Sequence, residues 1–384
     1  MKYVYPTYQR FPIEIKSGQG VRLTDAHGQT YLDFTAGIGV CNFGYQNPAI
    51  QAAVQAQLPK IWHTSNLYEN TLQDAVAKLL VHGEDRLVFF ANSGTEANEA
   101  ALKLARKYTG KTKILAFHQS FHGRTYGSMS MTGNPSIQVG YAPLVPGVTF
   151  ATYNDSTALT QITPDLAAVI LEVVQGEGGV FAGQKAWLQA VQSKCQANQV
   201  LLIIDEVQTG IGRTGYRFAY EGYGLDPDIY TTAKGLANGL PVGAMVGRTQ
   251  FASAFGPGSH GSTFAGNALA MAAAQAVLTS LTPTFLTDVQ TKAQQVWQAL
   301  DQQVAGLPMV SRLTGKGLMI GIHLVPDVPV IKVITALQEA GLLTLSAGDN
   351  TLRLLPPLVM SVEDLLAGVQ TIATVLAQFE TEAV

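Results

Sequence analysis

The chain has 384 residues, too many for one ordinary core, so two unequal domains are expected. Hydrophobic residues make up 47% and charged residues only 13%, a balance that fits extensive buried surface, a subunit interface included. The net charge of −3 gives no electrostatic reason to expect nucleic acid or an anionic membrane as a partner.

The first 50 or so residues read as largely irregular. Their opening, Met1-Lys2-Tyr3-Val4-Tyr5-Pro6, lacks the apolar core of a leader peptide. Residues 20–34 read as two short strands around a turn at His27-Gly28. From about 70 to 250, short apolar strands alternate with helices. A strand at 87–90 precedes a helix at 96–108 with apolar positions Ala97, Ala101, Leu104 and Ala105, and 114–116 is the next strand. The continuous apolar runs 167–171 and 200–204 fit strands buried on both faces, with a helix at 185–196 between them. A further strand is expected at 228–232. This alternation predicts an α/β domain with a mainly parallel sheet. The most apolar stretch, 268–281, is too short to span a bilayer and contains Gln275. Beyond about 281 a second, α+β unit is expected, with helices near 286–305 and 361–380. Cys41 and Cys195 make no disulfide framework and fit a reducing cytoplasm.

In such a sheet, ligands bind beyond the carboxyl ends of the strands. The residues that follow each strand are therefore the candidates. Asn92-Ser93-Gly94-Thr95-Glu96-Ala97 opens a helix: its free N–H groups and dipole suit a phosphate, and equally it is an ordinary N-cap. Phe117 to Thr125 brings an aromatic, two histidines and Arg124 into one loop, suited to stacking and carboxylate binding, or simply exposed. His118 and His122 lack an evident third metal ligand, so no metal is expected. Glu177 lies among glycines in Gln175-Gly176-Glu177-Gly178. Asp205 ends a buried strand and needs a partner there, whether a cation or the N–H groups of the next turn. Lys234 ends another strand among small residues, where a desolvated amine becomes a nucleophile toward aldehydes; a solvated turn lysine is the plainer alternative.

Taken in order, these pieces resemble the fold-type I enzymes that use pyridoxal 5'-phosphate (PLP), and more closely the class III aminotransferases. The likeness runs from Pro6-Thr7-Tyr8 to Leu354-Leu355-Pro356-Pro357-Leu358. It is most specific at 92–97, 121–125, 175–178, Asp205-Glu206-Val207-Gln208-Thr209-Gly210 and His260-Gly261-Ser262-Thr263-Phe264. It implies a large PLP-binding domain over 51–280 with helices on both faces of its sheet. The smaller α+β domain would join residues 1–50 to 281–384.

The resemblance also implies roles. Lys234 carries the cofactor and shuttles a proton. Asp205 pairs with the ring nitrogen, Phe121 and Val207 cover the two ring faces, and Gln208 lies near the ring hydroxyl, with Glu206 in the same cofactor-binding stretch. Gly94 and Thr95 bind the phosphate, joined by Thr263 of the neighbouring subunit in a homodimer. Arg124 and Ser262 contact the substrate, Arg353 takes the α-carboxylate of glutamate, and Glu177 pairs with Arg353 when no such carboxylate is present. Ile38 stands where ornithine-using members have tyrosine. Within the family the likeness is greatest to members acting on N2-acetyl-L-ornithine, which implies transamination with 2-oxoglutarate to N-acetyl-L-glutamate 5-semialdehyde and L-glutamate, as in arginine biosynthesis. Ornithine, 4-aminobutyrate and succinyldiaminopimelate are the alternative donors. Val173 and Tyr45 depart from the family's usual proline and histidine.

Two Gly-x-Gly-x-x-Gly matches, at 210–215 and 256–261, raise a nicotinamide-dependent dehydrogenase as a different class of enzyme. Neither sits between a strand and a helix, as dinucleotide binding requires.

Overall fold

The computed structural model describes residues 3–379. Met1 and Lys2, at the start of the opening stretch, and Glu380, the expected end of the last helix, lie outside the described residues.

The N-terminal segment is more regular than its sequence indicates. β1 (Ile15–Gln19), β2 (Arg22–Asp25) and β3 (Thr30–Asp33) form an antiparallel meander. Asp25 builds the expected turn by accepting the N–H groups of His27 at 2.8 Å and Gln29 at 3.0 Å, while Gly28 takes φ +86°. β1 escapes a pattern search because Ile-Lys-Ser-Gly-Gln has no apolar alternation.

The central layer follows the expected alternation. It contains β4 (Arg86–Ala91), β5 (Lys113–Phe117), β6 (Val148–Ala151) and β7 (Leu166–Leu171). A small separate hairpin follows, β8 (Val174–Gln175) with β9 (Phe181–Ala182). Then come β10 (Leu201–Asp205), β11 (Ile229–Thr232) and β12 (Gly243–Arg248). The sheet order is β4-β12-β11-β10-β7-β5-β6, parallel throughout except for β12. All six residues of β7 and all five of β10 are buried, as their unbroken apolar runs require.

Helices cover both faces. Gly94–Thr109 buries the anticipated Ala97, Ala101, Leu104 and Ala105, and its small residues bring it close to the sheet. Lys185–Ala197 lies on the other face through Trp187, Leu188 and Val191. The apolar Ala268–Ser280 helix buries Met271, Ala274 and Val277 beside Ile50, Val76 and Leu80 of the Pro48–Gln57 and Thr71–Val81 helices. Among the described residues no single helix is long and apolar enough to cross a membrane.

The C-terminal part holds β13 (Val310–Lys316), β14 (Met319–Leu324), β15 (Leu342–Leu343), β16 (Leu345–Ala347) and β17 (Thr351–Leu354). Four of these make a second sheet, in the order β13-β14-β17-β16. The Pro283–Gln303 and Val362–Phe379 helices pack on one another, the first beginning three residues before expectation. β15 pairs in parallel with β3, and Val21 and Phe34 lie in the same core as Leu300, Ile320 and Ile372. The chain's beginning thus folds onto its end. Burying a side chain such as Phe34 contributes on the order of 1.5–3 kcal/mol to that union.

Candidate active site

Beyond the carboxyl ends of β4, β5, β7, β10 and β11 lies a cavity of about 420 Å³. Each strand delivers one group of residues: Asn92 to Thr95, Phe121 to Arg124, Glu172, Asp205 with Val207 and Gln208, and Lys234. A sixth group, Gly239 to Val242, was not foreseen. It arrives because β12 runs antiparallel, so its amino end, not its carboxyl end, faces the site.

At the start of the Gly94–Thr109 helix the turn is an N-cap with free donors left beside it. Ser93 is the N-cap, accepting the Glu96 N–H at 3.3 Å, and Glu96 Oε2 accepts the Asn92 N–H at 2.6 Å and the Ser93 hydroxyl at 3.1 Å. Of these bonds, the one from the Glu96 N–H uses a spare donor of the helix, while the Asn92 N–H lies before the cap. The first-turn N–H groups of Gly94 and Thr95 still lack intrahelical acceptors and stand at the positive end of the dipole, on the cavity wall. A Cβ on Gly94 would come within 2.7 Å of Val207 Cγ1, so glycine keeps this backbone against the site. The Thr95 hydroxyl lies 2.8 Å from that of Thr125.

Asp205, 3% exposed, is fixed by three donors. Oδ1 accepts the Val207 N–H at 2.9 Å; Oδ2 accepts Asn98 Nδ2 at 2.8 Å and lies 2.8 Å from His122 Nδ1. A carboxylate offers about four acceptor positions, so one remains for the cavity. A protonated ring nitrogen fits it. Asn98 is itself held, donating to the His122 carbonyl and accepting from the Thr231 hydroxyl. Asn98 and His122 were missed as supports for Asp205. The available signal was Asn98's place on the otherwise apolar, sheet-facing side of its helix.

Lys234 follows β11 after one intervening residue, Ala233, at φ +46°. Burial lowers its pKa, against the opposing pull of Glu177 and Asp205. An amine so placed is more readily neutral and nucleophilic. Phe121 and Val207 line the same cavity, and the Arg124 guanidinium lies 5.7 Å from the Phe121 ring centroid. Glu172 orders the two flanking loops, accepting the N–H groups of Phe121 at 3.0 Å and Gly176 at 3.2 Å; burial pushes its carboxyl up.

Gln208 connects the cavity to a second charged group. It donates to Glu177 Oε1 at 3.4 Å and accepts from Arg353 at 3.3 Å. Arg353 meets Glu177 with both terminal nitrogens, at 2.6 and 3.3 Å. Burial alone would raise the Glu177 carboxyl, but Arg353 holds it below its ordinary value.

The family model described as Aminotransferase class-III matches residues 3–376. The chain is a class III aminotransferase. It is 77% identical over 382 residues to a protein of Lactiplantibacillus plantarum named acetylornithine aminotransferase, covering 100% of this chain and 98% of that one. Among solved structures, an ornithine aminotransferase of Toxoplasma gondii, described as having partial PLP occupancy at its active site, matches with a TM-score of 0.94. The identity is 30%, with 99% of this chain and 93% of that one covered. An N-acetylornithine aminotransferase of Stenotrophomonas maltophilia matches with a TM-score of 0.85 and 31% identity, covering 98% of both. The architecture is the fold-type I arrangement expected from the motifs. The backbone does not separate ornithine users from acetylornithine users, since the ornithine enzyme superposes better.

Not every expected site residue of this aminotransferase reaches the cavity. Glu206 turns away: it is 0% exposed, accepting from the Thr209 hydroxyl at 2.5 Å and the Tyr220 N–H at 2.8 Å. Its alternation with Asp205 and Val207 along the chain points it to the other side of the sheet's edge. Ser262 and Thr263 line a separate pocket of about 580 Å³, and Asn92 Nδ2, on the wall of the first, donates to the Ser262 hydroxyl at 2.8 Å. Ile38 is exposed, in a run of left-handed residues from Ala36 to Gly39. Asp33 anchors that run, accepting from Thr35, Ala36 and Tyr45, the last at 2.7 Å. Tyr45 thus buttresses this run through its hydroxyl. His118 and His122 part company, one against Phe150 and the other on Asp205. Among the described residues no cluster of three or more His, Cys, Asp or Glu is arranged to hold a metal.

Proposed function

We propose that this aminotransferase moves the terminal amino group of N2-acetyl-L-ornithine to 2-oxoglutarate, giving N-acetyl-L-glutamate 5-semialdehyde and L-glutamate, with PLP held at Lys234. The observation that carries the donor is the 77% identity, over the whole chain, to a protein named for acetylornithine. The geometry supports PLP independently: a helix N-terminus for the phosphate, Phe121 and Val207 for the ring faces, and the spare acceptor of Asp205 for the ring nitrogen. When bound, PLP takes up the amino group and acts as the electron sink for proton transfer at the substrate carbon.

The chain's own groups divide the remaining tasks. Lys234 binds the cofactor through its neutral amine and, once displaced, moves the proton at the reacting carbon. Asp205, clamped by Asn98, His122 and Val207, keeps the ring nitrogen protonated. Arg124, exposed at the mouth and without a carboxylate partner among the described residues, takes the distal carboxylate of either substrate. Arg353 takes the α-carboxylate of glutamate. With a terminal-amine donor that carboxylate is absent, and Glu177 keeps Arg353 neutralised. Ile38 offers no partner to a free α-ammonium but tolerates an acetylated nitrogen.

The supply of Ser262 and Thr263 in a pocket apart from Lys234 favours a homodimer in which each chain completes the other's site. The two free cysteines, Cys41 and Cys195, fit an enzyme of a reducing cytoplasm.

A titration of the PLP-loaded enzyme tests the donor. N-acetylornithine should bleach the visible cofactor band with a kcat/KM at least about tenfold above that for ornithine or 4-aminobutyrate, a factor equivalent to one unpaired polar group. If ornithine or 4-aminobutyrate is the better donor, the substrate assignment fails and the family assignment stands.

A further inference from the structure

Glu177 sits on the turn of the β8–β9 hairpin, and this hairpin is fastened to the C-terminal sheet. Val174 and Val180, both fully buried, form one apolar cluster with Met319 of β14 and with Leu355. Val180 has φ +60°, a conformation in which a β-branched residue is a genuine outlier. Such a residue stays there only when its surroundings over-determine it. Gly321 of β14 supplies part of the seat: a Cβ there would lie 3.0 Å from that of Val180.

The next residue is gripped from two sides. The Phe181 ring has the Arg312 guanidinium 4.9 Å from its centroid, and the His323 ring 5.1 Å away at 31°. Arg312 is itself paired with Asp349 at 2.7 Å. His323 is 2% exposed, and each of its ring nitrogens meets a hydroxyl: Nε2 that of Thr314 at 2.8 Å, Nδ1 that of Thr351 at 3.0 Å. Thr314 gives its hydroxyl hydrogen to the Gly179 carbonyl at 3.2 Å. Thr351 is placed in the same way, with the Asp349 carbonyl at 3.1 Å as a second acceptor and Asp349 Oδ2 3.4 Å from Nδ1, so a neutral His323 donates from one nitrogen to one of the two hydroxyls and accepts at the other. The Gly348 N–H holds the carbonyl of Glu177 itself at 2.8 Å. Burial and Arg312 lower the His323 pKa against the opposing pull of Asp349, which favours a neutral ring.

Thr351 and Arg353 share β17, so His323 links the strand that bears Arg353 to the backbone of the turn that bears Glu177. We propose that Val180, Phe181 and His323 are positioning residues that clamp the Glu177 turn to β14 and β17, so that Glu177 and Arg353 ride on one rigid body and exchange partners by side-chain rotation alone. This rests on the reading of the Glu177–Arg353 pair as a switch between the two substrates.

The test compares Phe181→Ala, Phe181→Tyr, His323→Ala and Glu177→Ala in the PLP-loaded enzyme, with single-turnover rates for N-acetylornithine and for glutamate. Phe181→Ala and His323→Ala should lower the ratio of the first rate to the second by about tenfold, in the same direction as Glu177→Ala. Phe181→Tyr, which keeps the ring in its sandwich, should restore the ratio. Amide exchange should rise across 174–183 in Phe181→Ala while β10 and β11 stay protected. If Phe181→Ala keeps the wild-type ratio while Glu177→Ala shifts it, the clamp is wrong and the switch stands. Equal loss of both rates without rescue by tyrosine marks a general structural defect and also overturns the clamp. If Glu177→Ala itself leaves the ratio unchanged, the switch falls and the clamp's role falls with it.

Discussion

Replacing Glu177 with alanine removes the carboxylate that neutralises Arg353, and the structure sets the size of the effect. Arg353 is 3% exposed at its side chain and Glu177 35%. Stripping one partner from a fully buried pair costs about 3–5 kcal/mol, because the other charge is left unpaired. Exposed pairs are worth about 0.2–1 kcal/mol. One partner here is buried and the other is reached by solvent, and Gln208 remains as a neutral acceptor at 3.3 Å. An intermediate loss of about 1.5–2 kcal/mol follows. At about 1.4 kcal/mol per factor of ten, the N-acetylornithine half-reaction should slow by roughly 10- to 30-fold. Glutamate brings its own α-carboxylate to Arg353, so its half-reaction should lose no more than about threefold. Stopped-flow single turnovers of each half, followed at the cofactor absorbance, measure both. Equal losses in the two directions would refute the argument that Glu177 stands in for an absent carboxylate.

Glu206 yields a prediction about pH. Burial raises its carboxyl to about 7, against a reference of 4.5, so the native state keeps a proton that the unfolded state has shed. Its contribution to stability therefore falls as pH rises from about 4.5 to 7, by up to about 3 kcal/mol. Glu206→Gln retains the acceptor for the Tyr220 N–H, and the Thr209 hydroxyl can turn to accept; thermal unfolding should show a weaker pH dependence and a higher Tm at pH 8, with PLP binding unchanged. A drop in PLP affinity would return Glu206 to the cofactor site. For the shared-site dimer, mixing inactive Lys234→Ala chains with inactive Thr263→Val chains should recover activity in hybrids, because one of the two sites then holds both intact residues; hybrids that form and stay dead contradict it.

The α/β architecture was legible because β7 and β10 are unbroken apolar runs and the Gly94–Thr109 helix repeats alanine and leucine at helical spacing. The candidate residues around the cavity were legible because most of them fall at or a few residues beyond the carboxyl end of a strand. What escaped was carried by tertiary contact. β12 contributes 239–242 only because it runs antiparallel, and nothing in Gly243–Arg248 states its direction. Asn98 and His122 serve Asp205 from other elements, more than 80 residues away in the case of His122. Glu206 was misjudged through its neighbours: a motif names four consecutive residues, while the backbone turns one of them away from the cavity. Whether Ser262 and Thr263 meet the phosphate depends on a second chain, which a single sequence does not describe.

The central claim is that Lys234 is the amine that binds the cofactor. Borohydride reduction of the PLP-loaded enzyme followed by peptide mapping tests it most directly, since reduction fixes the cofactor to whichever amine holds it. The account predicts one labelled peptide, spanning the Thr231-Thr232-Ala233-Lys234-Gly235 turn, and no label in Lys234→Ala. A stoichiometric adduct on any other lysine would contradict it.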